Sequence, residues 1–191
     1  MDRILVDFFQ SLDRSLFIDN ENKAFASLNA PLPIGFGQTI SQPSLVVRMT
    51  EWLNLDAHSR VMEIGTGSGY QTAFLAEFSG QVYTVERIPE LSATARSRLE
   101  NLGYTNIHYK VGDGSIGWVE HAPYDRIMVT AAPQLMPDEL VAQLALEGVM
   151  VIPVGPSGWQ QLLRITRDSQ GGLHTENLAE VAFVPMIGKY C

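Results

Sequence analysis

The stretch Val61-Met62-Glu63-Ile64-Gly65-Thr66-Gly67-Ser68-Gly69-Tyr70 constrains this chain more than any other. It opens as a short apolar strand and runs into a turn with glycine at every second position. Beyond the turn, Gln71 to Phe78 sets Phe74, Leu75 and Phe78 on one face at helical spacing. Glycines at 65, 67 and 69 let the backbone turn sharply and come close to a ligand with no Cβ in the way. Strand, glycine loop and helix make the first half of a nucleotide-type βαβ unit. The dinucleotide fingerprint asks for a glycine where this chain has Tyr70, and it has no acid where Glu63 stands. The second half of the unit is Val82-Tyr83-Thr84-Val85-Glu86, a β-rich run ending in an acid 21 residues after Gly65. An acid at that strand end can accept from both hydroxyls of a ribose. The plain alternatives are a tight turn with a solvated Glu63 and a surface acid at position 86.

The remaining chain alternates strands and helices. Pro89 opens a helix carrying Leu91, Ala95, Leu99 and Leu102 that stops at Gly103. Ile107 to Val111 reads as the third strand and delivers Asp113-Gly114 to the same edge as Gly65 and Glu86. There Asp113 can accept from an adenine amino group, or can simply make an Asp-Gly turn. Asp125 to Ala131 is a continuous apolar run, as in a buried parallel strand. Pro137 to Ala145 reads as a short helix and Val149 to Val154 as a fifth strand. Gln160 to Thr166 and Ala179 to Val184 read as strands across a turn at Gln170-Gly171-Gly172. The expected fold is α/β: a doubly wound, mostly parallel sheet with an antiparallel edge strand.

Ahead of the glycine loop, Ile4, Leu5, Phe8, Phe9, Leu12, Leu16 and Phe17 fall near one face of a helix over residues 4 to 17. Asn20 to Ala30 is polar and irregular. In Pro31 to Pro43, three prolines and two glycines predict an ordered loop without regular structure. Ser41 is placed to cap the next helix, with Pro43 in its first turn. Leu45, Val46, Met49, Trp52 and Leu53 form that helix's apolar stripe. With 191 residues the chain is expected to be one domain. Residues 1–45 would form an N-terminal helix and substrate-side loop, and 46–191 the cofactor-binding core with a β-rich tail.

Charge and cysteine content exclude other classes. Thirteen Lys and Arg against 21 Asp and Glu leave a formal charge of −8, with no basic run to neutralise phosphates, so no nucleic acid partner is expected. The single cysteine, Cys191, allows no intrachain disulfide and suggests a reducing compartment. No apolar run approaches ~18 residues, and Met1-Asp2-Arg3 opens no signal peptide. A cytoplasmic monomer with no membrane contact is therefore expected. His58, His108, His121 and His174 are scattered without ligand spacing, and no metal is expected.

Two resemblances sharpen the reading. Glu63-x-Gly65-x-Gly67-x-Gly69 resembles the first motif of S-adenosylmethionine-dependent methyltransferases, whose fold is Rossmann-like. That cofactor has no pyrophosphate and carries a sulfonium and an amino group, so a carboxylate beside the loop suits it. More specifically, Pro31-Leu32-Pro33-Ile34-Gly35-Phe36-Gly37-Gln38-Thr39-Ile40-Ser41-Gln42-Pro43 resembles the signature of the protein-L-isoaspartate (D-aspartate) O-methyltransferases. The likeness continues through Gly112-Asp113-Gly114, Ala122 to Ile127, Val129 to Ala132, Val151 to Gly155 and Phe183 to Pro185.

It implies methyl transfer from S-adenosylmethionine to the free α-carboxylate of isoaspartyl residues in damaged proteins. The ester then cyclises to a succinimide without help, and hydrolysis returns some normal aspartate. The cofactor residues it implies are Gln38, Thr39, Ile40, Ser41, Glu63, Gly65, Thr66, Gly67, Gly69, Glu86, Asp113 and Gly114. Ser41, with no His/Asp partner in sequence, is the candidate to position the acceptor carboxylate rather than to attack it. Another acceptor on the same fold, or a non-catalytic isoaspartyl-binding module, stays open.

The chain departs from the pattern at Ser27 and Asn29, where the family has an aromatic and an acid. It has Asp13-Arg14 for Pro-Arg, and Gly148 for a glycine pair. It ends soon after Pro185, so residues closing over cofactor and substrate are expected to be few.

Overall fold

The strand–loop–helix unit around Gly65 sits at the centre of the computed structural model, which describes residues 3–190; expectations resting on Met1, Asp2 and Cys191 lie outside them. In chain order come α1 (Arg3–Ser11), β1 (Leu32–Gly35), β2 (Gln38–Ile40), α2 (Pro43–Leu53), β3 (Arg60–Ile64), α3 (Tyr70–Phe78), β4 (Gln81–Glu86), α4 (Pro89–Asn101) and β5 (Ile107–Val111). The second half adds β6 (Tyr124–Val129), α5 (Asp138–Ala142), β7 (Leu144–Val154), β8 (Gln160–Arg167) and β9 (Leu173–Val181). One sheet runs β5-β4-β3-β6-β7-β8-β9. Its first five strands are parallel, and β8 is antiparallel to both neighbours. The antiparallel strand expected at the edge thus lies one place in, because the hairpin carries β9 outside it.

From β3 the chain winds outward through β4 and β5, then restarts at β6 on the other side of β3. That reversal opens a crevice at the C-terminal ends of β3 and β6, the usual ligand position in such sheets. Alternation along each strand feeds two cores. Met62, Ile64, Tyr83, Val85, Ile127 and Val129 face the layer that contains Tyr124 and Leu140. Val61, Val82, Met128 and Val151 face Met49, Leu53 and Leu75 of α2 and α3.

The helix after the glycine loop is buried on more than the one face expected. Leu75 packs toward the sheet, while Tyr70 and Phe74 pack outward against Leu5, Phe17 and Ile18. Phe8 meets Phe74 and Phe78 edge-on at 5.0 and 5.4 Å, so the N-terminal residues form a third layer over α3.

Local differences from the sequence reading have local causes. The helix expected over 4–17 ends at Ser11, and Asp13 caps a separate 3-10 turn, Arg14–Phe17, by accepting from Ser15 N. The segment expected to lack regular structure is a two-stranded antiparallel hairpin, β1–β2. Its turn, Phe36-Gly37, has both φ values positive (54° and 70°), the twist that two-residue hairpins favour. The prolines are tolerated because this small sheet has free edges. β9 begins at Leu173, because its polar residues 174–177 lie on an exposed outer strand where no apolar alternation is needed.

Candidate functional site

The glycine loop turns through three left-handed residues, Gly65, Gly67 and Gly69, with φ of 95°, 53° and 86°. A Cβ on Gly65 would come within 2.5 Å of Thr130 Oγ1. The loop's three glycine amides are engaged inside the protein, as is that of Tyr70. Gly65 N donates to Val85 O, Gly69 N to Thr66 O, Tyr70 N to Ser68 Oγ and Gly67 N to Glu86 Oε2. A pyrophosphate needs such amides free. The glycine amides of this loop are already taken.

The loop floors a partly open cavity of about 80 Å3. Gln38, Thr39, Ile40 and Ser41 stand on one side, and Gly65, Thr66, Gly67, Glu86 and Gly114 on the other. Glu63, Gly69 and Asp113 do not line it. Gly69 packs instead toward Ala95 and Leu99 of α4, which explains the need for glycine there.

The two acids of the unit differ in role. Glu86, at the end of β4, accepts from Gly67 N through Oε2 and from Ile88 N through Oε1, each at 2.9 Å. Each oxygen keeps a lone pair, and the residue lines the cavity. Glu63 is fully buried beneath the loop. Its Oε2 accepts from Thr72 Oγ1 at 2.7 Å and Thr84 Oγ1 at 2.6 Å, while Oε1 has no partner. Burial pushes its carboxyl up to about 8, against the two hydroxyl bonds, and the nearby Glu86 charge adds to the rise. Thr66 Oγ1 lies 2.6 Å from Thr84 Oγ1. When Glu63 is ionised, the Thr84 proton goes to it, so Thr66 must donate to Thr84. That leaves the Thr66 oxygen an acceptor at the cavity wall. In that ionised form the buried acid sets the polarity of a lining hydroxyl.

Ser41 borders both this cavity and a second one, lined also by Pro31, Arg48, Glu180 and Phe183. Thr39, Thr130 and Val184 are the other shared residues, so two hydroxyls flank Ser41 at the junction. Ser41 is not the helix cap expected of it. The residue at the cap position of α2 is Gln42, without a side-chain bond, and Asn29 Oδ1 instead accepts from Ser44 N at 3.0 Å. An amide from a distant loop fills the role, leaving the Ser41 hydroxyl without a recorded partner among the described residues. Pro43 does occupy the first turn.

Asp113 turns its carboxylate into the protein. Oδ1 accepts from Ser115 N and Oγ at 2.8 and 2.7 Å, and Oδ2 from Lys189 N at 3.3 Å. It caps a 3-10 turn and ties down the C-terminal segment. That segment contributes more than expected: Val184, Pro185, Met186 and Ile187 all wall the cavity. It is stitched along Ala132 by Ala132 N to Val184 O and Met186 N to Ala132 O, and held further by Lys189 and Tyr190 on Glu139.

Sequence reasoning also passed over Thr130, whose hydroxyl reaches Gly65 O at 2.7 Å and Ile64 O at 3.0 Å. Its position just past the C-terminal end of β6, beside the switch point, was the available signal. Among the described residues no group of three His, Cys, Asp or Glu is placed to hold a metal ion, and no helix is long and apolar enough to cross a membrane.

Comparison with known proteins agrees with this geometry. A protein-L-isoaspartate O-methyltransferase of Dictyoglomus thermophilum is 52% identical over 179 residues, spanning 94% of this chain and 81% of the relative. A solved structure titled protein-L-isoaspartate O-methyltransferase superposes with a TM-score of 0.88 at 27% identity, over 99% of this chain and 62% of that longer one. A second, described as a putative Plasmodium falciparum protein-L-isoaspartate O-methyltransferase in complex with S-adenosyl-L-homocysteine, gives 0.81 at 25% identity, over 97% of this chain and 91% of that one. The profile of the family described as protein-L-isoaspartate(D-aspartate) O-methyltransferase matches residues 1–190, and the chain belongs to that family.

Proposed function

We propose that the protein transfers a methyl group from S-adenosylmethionine to the free α-carboxylate of isoaspartyl residues, and D-aspartyl residues, in damaged proteins. The observation that carries the reading is the glycine loop with its three glycine amides bonded internally and the Glu86 carboxylate at its rim. Such a floor suits a ligand without phosphate that carries positive charge.

The residues fit the cofactor. Glu86 has an acceptor site free on each oxygen for two ribose hydroxyls, and Ile40, Ile64, Met186 and Ile187 offer apolar walls for a base. Gln38, Thr39, Ser41, Thr66, Gly67 and Gly114 complete the enclosure, with Gly65 and Gly69 shaping the floor. Glu63 and Asp113 act from behind it, the first on Thr66 and the second on the C-terminal wall. When bound, the cofactor supplies an electrophilic methyl on a sulfonium, and the sulfur keeps the electron pair of the broken C–S bond.

Little acid–base work remains for the protein. The acceptor carboxylate, with an unperturbed pKa of about 4, is ionised at neutral pH and needs no general base. Ser41, at the junction of the two cavities, donates its unused hydroxyl to one carboxylate oxygen and leaves the other to take the methyl. The second cavity admits the peptide, and Thr39, Thr130 and Val184 narrow the passage. Holding the reactants in line and dry can supply ~7–11 kcal/mol of the barrier. The lone cysteine supports a reducing, cytoplasmic setting.

Methyl transfer to an isoaspartyl peptide and to its normal-aspartyl twin tests the assignment, alongside calorimetry with S-adenosylhomocysteine and NAD. Turnover of the isoaspartyl peptide alone, with binding of S-adenosylhomocysteine, is expected; equal turnover of both peptides, or NAD binding alone, would sink the assignment. Since Asn29 does the capping, Ser41→Ala should melt close to wild type while kcat and kcat/KM fall together. Ser41→Thr, which keeps a hydroxyl, should retain more activity. Full activity in folded Ser41→Ala would remove the serine from the mechanism.

A further inference from the structure

Arg14 is a buried cation that the mechanism above does not use, with only 6% of its surface exposed and no carboxylate partner among the described residues. Its guanidinium bonds main-chain carbonyls instead. Nη1 donates to Ala26 O and Leu28 O, both at 3.0 Å, and Nη2 to Ala30 O at 2.8 Å and Ser41 O at 3.1 Å. The side chain is well anchored at its origin. Asp13 caps the 3-10 turn that carries it, and Phe17 of that turn packs on Tyr70 at 5.2 Å.

The partners of Nη2 matter most. Residues 30 and 41 flank the β1–β2 hairpin, whose last ladder pair is Leu32 with Ile40. One nitrogen therefore closes the hairpin's base across both strands. A two-stranded hairpin alone is marginal in water, so side-chain ties decide where it stands. The other ties act further along β1, where Asn20 Nδ2 and Asn22 Nδ2 both donate to Pro33 O. Among the described residues only the Arg14 side chain bonds Ser41 itself. The same fork holds 26–30, and that segment carries Asn29, the cap of α2. Ser41 lies between the hairpin and α2, and Arg14 holds both of its flanks.

We propose that Arg14 is the positioning residue for the acceptor site, fixing the Ser41 peptide so that its hydroxyl meets the isoaspartyl carboxylate. The planar fork with donors at fixed angles is what the task requires, and a lysine ammonium cannot reproduce it. The inference rests on the methyl-transfer reading, which wild-type turnover tests separately.

The decisive variant is Arg14→Lys, which keeps a cation beside the open cleft bordered by Phe9, Lys23 and Asn29. For the isoaspartyl peptide, kcat and kcat/KM should fall together by about ten-fold or more. The dissociation constant for S-adenosylhomocysteine, read by calorimetry, should change by less than about three-fold, a shift below 1 kcal/mol. The Asn20→Ala/Asn22→Ala double variant, which loosens the hairpin away from Ser41, should keep most of its kcat. In wild type without any acceptor, amide exchange should show residues 26–30 and 38–42 opening as one unit, and that reading stands even if Arg14→Lys does not fold. An unchanged kcat in Arg14→Lys would overturn the proposal. So would a kcat loss matched by an equal loss of cofactor affinity, an equal kcat loss in the asparagine double variant, or independent opening of the two segments. Failure of wild type on the isoaspartyl peptide would remove the substrate assignment, and amide exchange would still decide the clamp.

Discussion

At the scale of single residues, Glu86 does two jobs with one carboxylate. Its oxygens hold Gly67 N and Ile88 N, so they fix the loop before any ligand arrives. Glu86→Ala removes that staple together with the acceptor for two ribose hydroxyls. Hydrogen bonds to a charged group are worth roughly 1.5–3 kcal/mol each, so the dissociation constant for S-adenosylhomocysteine should rise about ten-fold or more. A calorimetric titration giving the wild-type constant would move the ribose contact elsewhere. This residue was legible in the sequence because its geometry is local: a strand length and a loop length put it beside Gly67. Ser41 was half legible. Its neighbours marked the site, but the local rule that serine before Pro43 caps a helix failed because Asn29, 15 residues away from Ser44, reaches the amide first. A pattern read along the chain does not register a cap delivered across it.

At the scale of elements, the C-terminal segment from Val184 to Tyr190 is a wall of the cavity stitched to Ala132 at its near end and held by a few contacts at its far end. Asp113 accepts from Lys189 N, and Glu139 receives Lys189 Nζ and the Tyr190 hydroxyl. Asp113→Ala removes one tie on the segment and uncaps the 3-10 turn, loosening the wall at that end. S-adenosylhomocysteine should then leave about ten-fold faster, with association little changed, since lost contacts appear mostly in dissociation rates. Stopped-flow release measurements check this, and the Lys189 and Tyr190 amides should exchange faster in the same variant. An unaltered release rate would show that the wall stays shut without Asp113. The strands and helices flanking the glycine loop were legible to within a residue or two, because each carries its own periodicity and stop signal. The hairpin was not, because its prolines and glycines read as breakers. Nor was the wall, because nothing in Val184-Pro185-Met186-Ile187 says where a chain end will fold back.

At the scale of the molecule, the sheet bears an ionisable group with no access to water. Glu63 is fully buried, with its carboxyl raised from 4.5 to about 8. In the unfolded chain it ionises at its ordinary value, so its stabilising contribution is whole below about pH 4.5 and is lost as the pH rises toward 8. Across that window the loss reaches ~1.4 kcal/mol per pH unit. Glu63→Gln keeps an acceptor for Thr72 and Thr84 and buries no charge. Its stability relative to wild type should therefore climb from pH 5 to pH 8 in denaturant titrations without ligand; parallel curves would mean that water reaches the carboxylate. The same sheet ends in β9, whose outer edge pairs with nothing among the described residues. An enzyme whose acceptors are damaged proteins works among chains with loosened backbone, and a bare strand edge could recruit them by ladder pairing. β9 carries Glu176 and Glu180, with His174, Thr175 and Asn177 also exposed, in place of the β-branched apolar residues that favour such pairing. An edge built this way is a poor template for ladder pairing with such chains.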